Sequence, residues 1–236
     1  MKPSVRRSSG IVAIATALVL SGCAFGPSPV PTPSPEQVEA STPTPTPTPT
    51  AEPIDPLTTV TEIVVRPELL ELHDAEGVVV ATLSYDDEAS LFMAALSTVL
   101  GAAPEQSELS GGMESAPRTD YSWDGLLASD DHEGKGPIDM NVSVVFTAPT
   151  VGDGVTVRTV NGFQPGGDAQ ALAAELGEPW YGNGLDQVRV ETGEPIGEQQ
   201  PYSDYANAYS VAVNAWEWQG SSNAVSAPWN FGIGHV

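Results

Sequence analysis

The sequence predicts an α+β fold of two tandem units, each an antiparallel sheet covered by one helix, behind a disordered tether rich in proline and threonine. Three observations support this prediction. Strand-like segments outnumber helical ones, both helical segments end at Leu-Gly followed closely by proline, and similar segments recur at a nearly constant spacing. We expect the folded part to span residues 57–236, which is long enough to bury a core as one or two small domains.

Two segments have helical periodicity, residues 86–100 and 168–176. Each begins with aspartate, which suits a helix N-terminus, and is followed by a glycine, Gly101 or Gly177, that suits a left-handed C-terminal stop. In the first segment the apolar stripe predicted to face a sheet consists of Leu91, Phe92, Ala95, Leu96, Val99 and Leu100.

Eight segments rich in β-branched and aromatic residues are predicted to be strands. They are residues 60–66, 69–73, 77–84, 119–127, 140–147, 154–161, 185–191 and 207–218. Residues 73–77 and 151–154 are predicted to form hairpin turns because glycine and aspartate are concentrated there. Short turns between strands favour antiparallel pairing, which leads to the α+β class.

A possible internal repeat relates the two halves of the folded part. Residues 77–83 read GVVVATL and residues 154–160 read GVTVRTV. Their first glycines lie 77 residues apart, and the glycines of the two Leu-Gly stops lie 76 apart. This spacing suggests a duplication with repeats at 59–130 and 140–218. The alternative is that strand–helix units look alike because their compositions are similar.

The N-terminus has the features of an export signal. Lys2, Arg6 and Arg7 precede an uncharged apolar run at residues 11–20, which is too short to span a membrane as a helix. Small residues follow this run. Because positive charge before an apolar segment stays on the cytoplasmic side, the rest of the chain is expected to be exported. Residues 1–22 are therefore predicted to be a signal peptide.

Leu20-Ser21-Gly22-Cys23 matches a lipobox, and at this point the chain resembles a bacterial lipoprotein precursor. The resemblance implies cleavage between Gly22 and Cys23, a diacylglycerol thioether on the Cys23 thiol and an acylated new amino terminus. Two or three acyl chains anchor a protein stably, so the resemblance implies attachment to the extracytoplasmic face of the cell membrane. The alternative is an ordinary signal peptide with a chance cysteine. With Cys23 as the sole cysteine, the domain folds without disulfides.

Residues 23–56 are predicted to be a lipidated N-terminus followed by a disordered linker. Residues 26–56 contain eleven of the 22 prolines, and residues 42–50 read TPTPTPTPT. Alternating proline removes backbone donors and favours polyproline II. Fully extended, about thirty such residues reach roughly 90 Å. The Thr-Pro run is either a bare spacer or a carrier of O-linked sugars, and the sequence does not separate the two.

The charge of the chain limits its partners. Removing the signal leaves 5 basic against 31 acidic residues, a formal charge of −26. Such a surface argues against binding nucleic acid or anionic lipid headgroups, because both are polyanions. A cationic partner, a wall rich in divalent cations and simple solubility all remain compatible with it.

No motif of a known catalytic or cofactor site is present. The chain lacks G-x-S-x-G, H-E-x-x-H, a P-loop and a glycine-rich dinucleotide turn. His73, His132 and His235 lie far apart in sequence, and we expect His73 and His235 to be exposed. The acidic loop at residues 130–136 is either a calcium site or, more simply, a solvated turn, since it lacks EF-hand spacing. We therefore expect no cofactor, no metal and no identifiable catalytic residue.

Aromatic residues near the C-terminus are the remaining functional signal. Trp216 and Trp218 alternate around one residue, so in a strand they point to the same face, and Trp229 follows. Turned outward, these three residues form a candidate binding face for a partner side chain or a sugar ring. Turned inward, they belong to the core of the second unit, as large aromatics usually do.

A helix, then Leu176-Gly177-Glu178-Pro179, then a strand resembles the small modules of outer-membrane assembly lipoproteins and of β-lactamase inhibitory proteins. Those inhibitors are tandem duplications of a helical segment packed on an antiparallel sheet, and the resemblance implies protein binding rather than catalysis. This chain lacks the cysteines that form the inhibitors' disulfides.

Taken together, these features predict a lipid-anchored cell-surface protein with a non-catalytic binding module at the cell envelope. The expected partner, besides the membrane itself, is an envelope protein or a cell-wall glycan. Two alternatives stay open: an enzyme that acts on envelope components with a carboxylate-based site, and a structural surface spacer.

Overall fold

Two helices are set among twelve strands in the described part of the chain. The helices are α1 (Ala89–Leu100) and α2 (Ala169–Leu176). The strands are β1 (Glu62–Val65), β2 (Leu69–His73), β3 (Val79–Ser84), β4 (Glu105–Leu109), β5 (Arg118–Trp123), β6 (Leu126–Asp130), β7 (Val142–Phe146), β8 (Thr150–Val151), β9 (Val155–Thr159), β10 (Gln187–Pro195), β11 (Ala208–Asn214) and β12 (Ala224–Trp229).

The computed structural model describes residues 54–112, 116–132, 139–215 and 223–233, all within a unit that spans residues 51–236. The predicted signal peptide and most of the predicted linker lie outside these residues. The described residues begin just before the predicted boundary at residue 57. There Asp55 accepts a hydrogen bond from the Leu57 amide at 3.0 Å and starts a short 3-10 helix, Pro56–Thr59.

The strands form two sheets, and the predicted α+β class is confirmed. One sheet has five strands in the order β3-β2-β1-β9-β8, and the other has seven in the order β10-β11-β12-β7-β6-β5-β4. Neighbouring strands are antiparallel except β1 and β9, which are parallel, with Val64 opposite Arg158. One continuous hydrophobic core contains residues from both sheets and both helices.

The two halves share their sheets, which corrects the expectation of one sheet for each half. Each sheet contains strands from both halves. In the seven-stranded sheet, β7 pairs with β6 and extends the antiparallel series β4-β5-β6 past the expected boundary between the halves. The order of elements nevertheless repeats along the described chain. Each half runs three strands, a helix and three strands, and the second set ends at Trp229 rather than near residue 218.

The helices match their predicted bounds closely, and their ends differ in one respect. Gly101 and Gly177 end them in the left-handed conformation, with φ of 68° and 72°. Asp168 caps α2 by accepting a hydrogen bond from the Ala171 amide at 3.0 Å. The N-cap of α1 is Glu88, whose side chain makes no capping hydrogen bond. The preceding Asp87 accepts a hydrogen bond from the Ser84 amide instead of capping the helix.

The buried stripe of α1 is rotated slightly from the predicted one. Met93 is buried at 5% exposure, whereas Leu91, predicted to be buried, is 64% exposed. Phe92, Leu96 and Leu100 are almost fully buried, as predicted.

Three of the observed strands were not predicted, and one segment predicted to be a single strand contains two strands. Residues 119–127 contain a hairpin between β5 and β6, which turns at Gly125 with a φ of +79° that favours glycine. β4 was missed because all five of its residues are exposed and show no alternation. β8 has only two residues, and β12 contains Pro228, which lowers its strand propensity.

Candidate functional site

Most of the predicted site residues lie outside the described part of the chain. These are Cys23 and Gly22 at the predicted lipid-attachment and cleavage site, and Trp216 and Trp218 of the predicted binding face. Trp229 is described, and it ends β12 half-buried. Its ring centroid lies 6.5 Å from that of Phe231.

A cleft runs along β10, the outer strand of the seven-stranded sheet. It consists of two adjoining cavities of about 290 and 380 Å³, and Glu191 and Thr192 line both. The smaller is also lined by Arg66, Pro67, Glu68, Leu69, Glu71, Gly193 and Glu194. The larger is also lined by Leu176, Glu178, Arg189 and Val190. We call the two cavities together the β10 cleft.

The β10 cleft is acidic. Five glutamates line it, and two arginines are the basic residues among its lining side chains. Its formal charge is therefore −3, in keeping with the charge of the whole chain. A binding site with this balance attracts cations and repels anions such as phosphates.

Arg66 connects the two sheets at the smaller cavity. It follows β1 in the five-stranded sheet and donates from Nε to both carboxylate oxygens of Glu191 on β10, at 3.0 and 2.9 Å. Its Nη2 donates to Glu191 Oε1 at 2.8 Å, and its Nη1 donates to Glu71 Oε1. The hydrogen bond with Glu191 is the chief cause of a raised pKa of Arg66, which therefore stays charged.

Glu178 lines the larger cavity and is largely buried. It lies directly after Gly177, and its side chain is 9% exposed. Oε1 accepts from Arg189 at 2.7 Å through Nη2 and at 3.2 Å through Nε. No described residue donates a hydrogen bond to Oε2, which is buried. A buried carboxylate oxygen without a donor is costly, and the surrounding atoms close this one to solvent.

Aromatic rings continue from Arg189 away from the cleft. The Arg189 guanidinium lies 4.6 Å from the centroid of the Tyr205 ring, in cation–π contact. The Tyr205 ring centroid is 5.4 Å from that of Phe231, which leads to Trp229. Burial, and next the negative charge of Glu178, raise the pKa of Tyr205. One of the three predicted binding-face residues, Trp229, therefore lies in a row of rings that leads to the cleft.

The backbone of β10 opposes the addition of a further strand. Its register with β11 shifts between Arg189 and Glu191 and again between Thr192 and Pro195. Irregular register and an edge proline protect a sheet edge from pairing with another chain. A ligand of the β10 cleft therefore contacts side chains rather than extending the sheet.

Three of the five carboxylates in the cleft, Glu178 among them, are already bonded to basic side chains. Arg66 occupies both oxygens of Glu191, while Arg66 and His73 Nε2, at 3.2 Å, occupy those of Glu71. A general acid or base needs an oxygen within reach of the substrate. In the described part of the chain, no group of three or more acidic, histidine or cysteine side chains is placed to hold a metal ion.

The expectation that His73 is exposed is wrong, since its side chain is only 12% exposed. It lies on β2 against Glu71, and its Nδ1 is 3.2 Å from the Gly77 carbonyl oxygen. His235 lies outside the described residues.

The acidic loop predicted at residues 130–136 is described only as far as His132. Thr119 Oγ1 lies 3.0 Å from His132 Nε2, and Asp130 Oδ2 lies 3.8 Å from His132 Nδ1. Although this order resembles a nucleophile–base–acid series, Thr119 is 2% exposed and the second distance is too long for a hydrogen bond. Burial raises the pKa of the neighbouring Asp131. The contacts of Thr119 and Asp130 with His132 therefore hold the turn after β6 in place.

The sequence did not identify the residues of the β10 cleft as a candidate site. Arg66 and Glu191 are 125 residues apart and belong to different sheets, so the tertiary fold alone brings them together. Glu178 stands in the Leu-Gly-Glu-Pro stop that marks the end of α2. A comparison of the two halves could have found it, because the first half has Ala102 at the matching place after Gly101.

Comparisons with known proteins add no identification: no protein-family model, curated protein or solved structure matches this chain. Among the described residues, no helix is long and apolar enough to cross a membrane.

Proposed function

We propose that the chain is a lipid-anchored protein of the cell envelope whose extracytoplasmic domain binds a positively charged envelope component in the β10 cleft. The anchor is the lipid on Cys23, and the partner is an envelope protein or a wall component. The observation that carries the binding role is the cleft itself, a concave site with a formal charge of −3 and a row of half-buried aromatic rings at one end.

Several features support a binding module over the alternatives. Cavities of about 290 and 380 Å³ match the lower range of pockets that hold small molecules or single side chains. Tyr, Trp and Arg, which dominate binding hot spots, are concentrated at the Glu178 end. The carboxylates of Glu191 and Glu71 are already bonded to Arg66, which counts against their use as an acid–base pair.

The test is a pull-down with residues 51–236 as bait, offered detergent-solubilised envelope proteins and, separately, purified wall fragments. A Thr192→Trp bait fills the cleft, and Thr98→Trp on the exposed face of α1 is the matched control. We expect a partner that the wild-type and Thr98→Trp baits retain at 0.15 M salt, where the Debye length is about 8 Å, and that Thr192→Trp loses. Retention only at low salt, or equal retention by all three baits, would contradict the proposal.

A further inference from the structure

A further cavity lies at the edge of the seven-stranded sheet that is opposite to the β10 cleft. It has a volume of about 400 Å³, which is within the range of ligand pockets, and it adjoins β4 and β5, the last two strands on that side. We call it the Trp123 cavity. Its lining residues are Ala102, Ala103, Glu105, Ser122, Trp123 and Asp124.

Trp123 gives this cavity an aromatic wall that is fixed in place. Its side chain is half-buried and packs against the hydrophobic core, and it also lines the cavity. Its Nε1–H donates to the Ala102 carbonyl oxygen at 2.9 Å. Because the indole is held by the core and by this hydrogen bond, a ligand that stacks on it does not have to order it first.

The polar side chains around the ring are accessible and unpaired. Glu105 and Asp124 are exposed, and Ser122 is half-buried opposite Glu105 on the neighbouring strand. No described residue forms a hydrogen bond or an ion pair with the side chain of any of these three. The two carboxylates give the lining a formal charge of −2, and ionised carboxylates only accept hydrogen bonds. A ligand of this cavity therefore supplies the donors.

An apolar ring surface bordered by acceptors suits a sugar ring. A pyranose with equatorial hydroxyls carries C–H groups on its faces and O–H donors around its rim, so its face fits the indole and its rim fits the carboxylates. The charge of −2 repels sugars that carry a carboxylate or a phosphate. A cationic side chain is less well suited, because the cavity has one aromatic ring and its carboxylates are exposed, where ion pairs contribute little.

We propose that the Trp123 cavity binds a neutral sugar ring of a glycan, with one face of the ring on Trp123 and its hydroxyls donating to Glu105 and Asp124. This site goes beyond the proposed function and does not depend on it. The domain would then hold a glycan at one edge of the seven-stranded sheet and the positively charged envelope component at the other.

The test uses residues 23–236 with Cys23→Ser, and cellotriose as the probe, because its rings carry equatorial hydroxyls. Binding is followed by NMR shifts of backbone amides in β4 and β5. We expect saturable shifts with a Kd on the order of 1 mM, as suits one stacked ring and a few exposed hydrogen bonds. The counterpart of cellotriose that is oxidised to carboxylates at C6 keeps the rings and adds negative charge, so it should bind at least about fivefold more weakly.

Three variants examine the wall and the rim of the cavity. Trp123→Ala should weaken cellotriose binding by about tenfold, because the stacking surface is lost. Since Trp123 also packs against the core, Glu105→Ala provides a second variant at an exposed position, and it should weaken binding by about threefold or more. Glu108→Ala is the matched control, because Glu108 is exposed on the opposite face of β4 and its loss changes the net charge equally. It should leave the affinity within about twofold.

Three results would overturn the inference. One is the absence of shifts in β4 and β5 with cellotriose at about 20 mM. Another is equal binding by the wild-type, Trp123→Ala and Glu105→Ala chains. The third is tighter binding of Nα-acetyl-lysine-N-methylamide than of cellotriose at the same amides, which would make the ligand a cationic peptide. None of these results would alter the pull-down with Thr192→Trp, which concerns the other edge of the sheet.

Discussion

Replacing Tyr85 by phenylalanine should stabilise the protein. Tyr85 follows β3 and is fully buried, and its hydroxyl has no hydrogen-bond partner among the described residues. Burial, and then the charge of Glu191, raise the pKa of Tyr85 well above its usual value, because the site disfavours the charged phenolate. Tyr85→Phe removes that oxygen and keeps the ring, whose centroid is 6.0 Å from that of Phe92.

The magnitude follows from the cost of an unsatisfied buried hydroxyl, about 1–3 kcal/mol. The change also removes some packing around the oxygen, so we expect the free energy of unfolding to rise by about 1 kcal/mol. With a denaturant dependence of about 2 kcal/mol per molar urea, the midpoint of unfolding should rise by about 0.5 M.

The assay is urea unfolding at pH 7, followed by tryptophan fluorescence. Tyr209→Phe is the matched control, since the Tyr209 hydroxyl donates to the Asp139 carbonyl oxygen at 3.3 Å. That variant should lose about 0.5–1.5 kcal/mol, the opposite sign. The reasoning would be refuted if Tyr85→Phe lowered the midpoint as Tyr209→Phe does, because the Tyr85 hydroxyl would then have a partner.

Three further predictions concern the anchor and two titrating groups. Cys23→Ala should move the protein from the membrane to the soluble fraction, and a variant that stayed membrane-bound would rule out the lipid anchor. Burial raises the pKa of Asp131 above 3.8, so its unfavourable ionisation in the folded state costs stability as pH rises through that folded pKa. Asp131→Asn should therefore raise the urea midpoint at pH 7 and leave it unchanged below the unfolded pKa; an equal gain at both pH values would exclude this cause. Glu178→Gln should lower the pKa of Tyr205 towards 10, measured by NMR of labelled tyrosine and assigned with Tyr205→Phe, and an unchanged pKa would place the carboxylate too far away.

The helices and turns could be predicted from the sequence because they depend on residues that lie close together along the chain. The two helices follow from apolar periodicity and from the glycine stops at Gly101 and Gly177, which need a left-handed residue. The hairpin turns after β2 and β8 follow in the same way from their glycine and aspartate residues. The α+β class then follows from the number and kind of these elements.

The pairing of strands could not be predicted, because it depends on contacts between distant parts of the chain. Nothing near β7 indicates that it pairs with both β6 and β12, nor that β1 pairs in parallel with β9. Strand β4 shows no alternation of apolar and polar residues because it is exposed on both faces.

The candidate site was beyond sequence analysis for a related reason. The β10 cleft joins residues 66–71 to residues 176–194, and no motif links the two segments. Trp229 was singled out for its aromatic ring, and its contact with Phe231 places it in the row that ends at the cleft. Glu178, the residue with the buried and unpartnered carboxylate oxygen, was noticed only as part of a helix stop.

Photo-crosslinking in growing cells tests the central claim most directly. A photoreactive amino acid is placed at residue 192, which lines both cavities of the β10 cleft, in the full-length chain. The same amino acid at residue 98, exposed on α1, is the control. We expect a discrete adduct from position 192 that position 98 does not give and that Glu178→Ala diminishes. No adduct at position 192, or the same adducts from both positions, would contradict a binding role for the cleft.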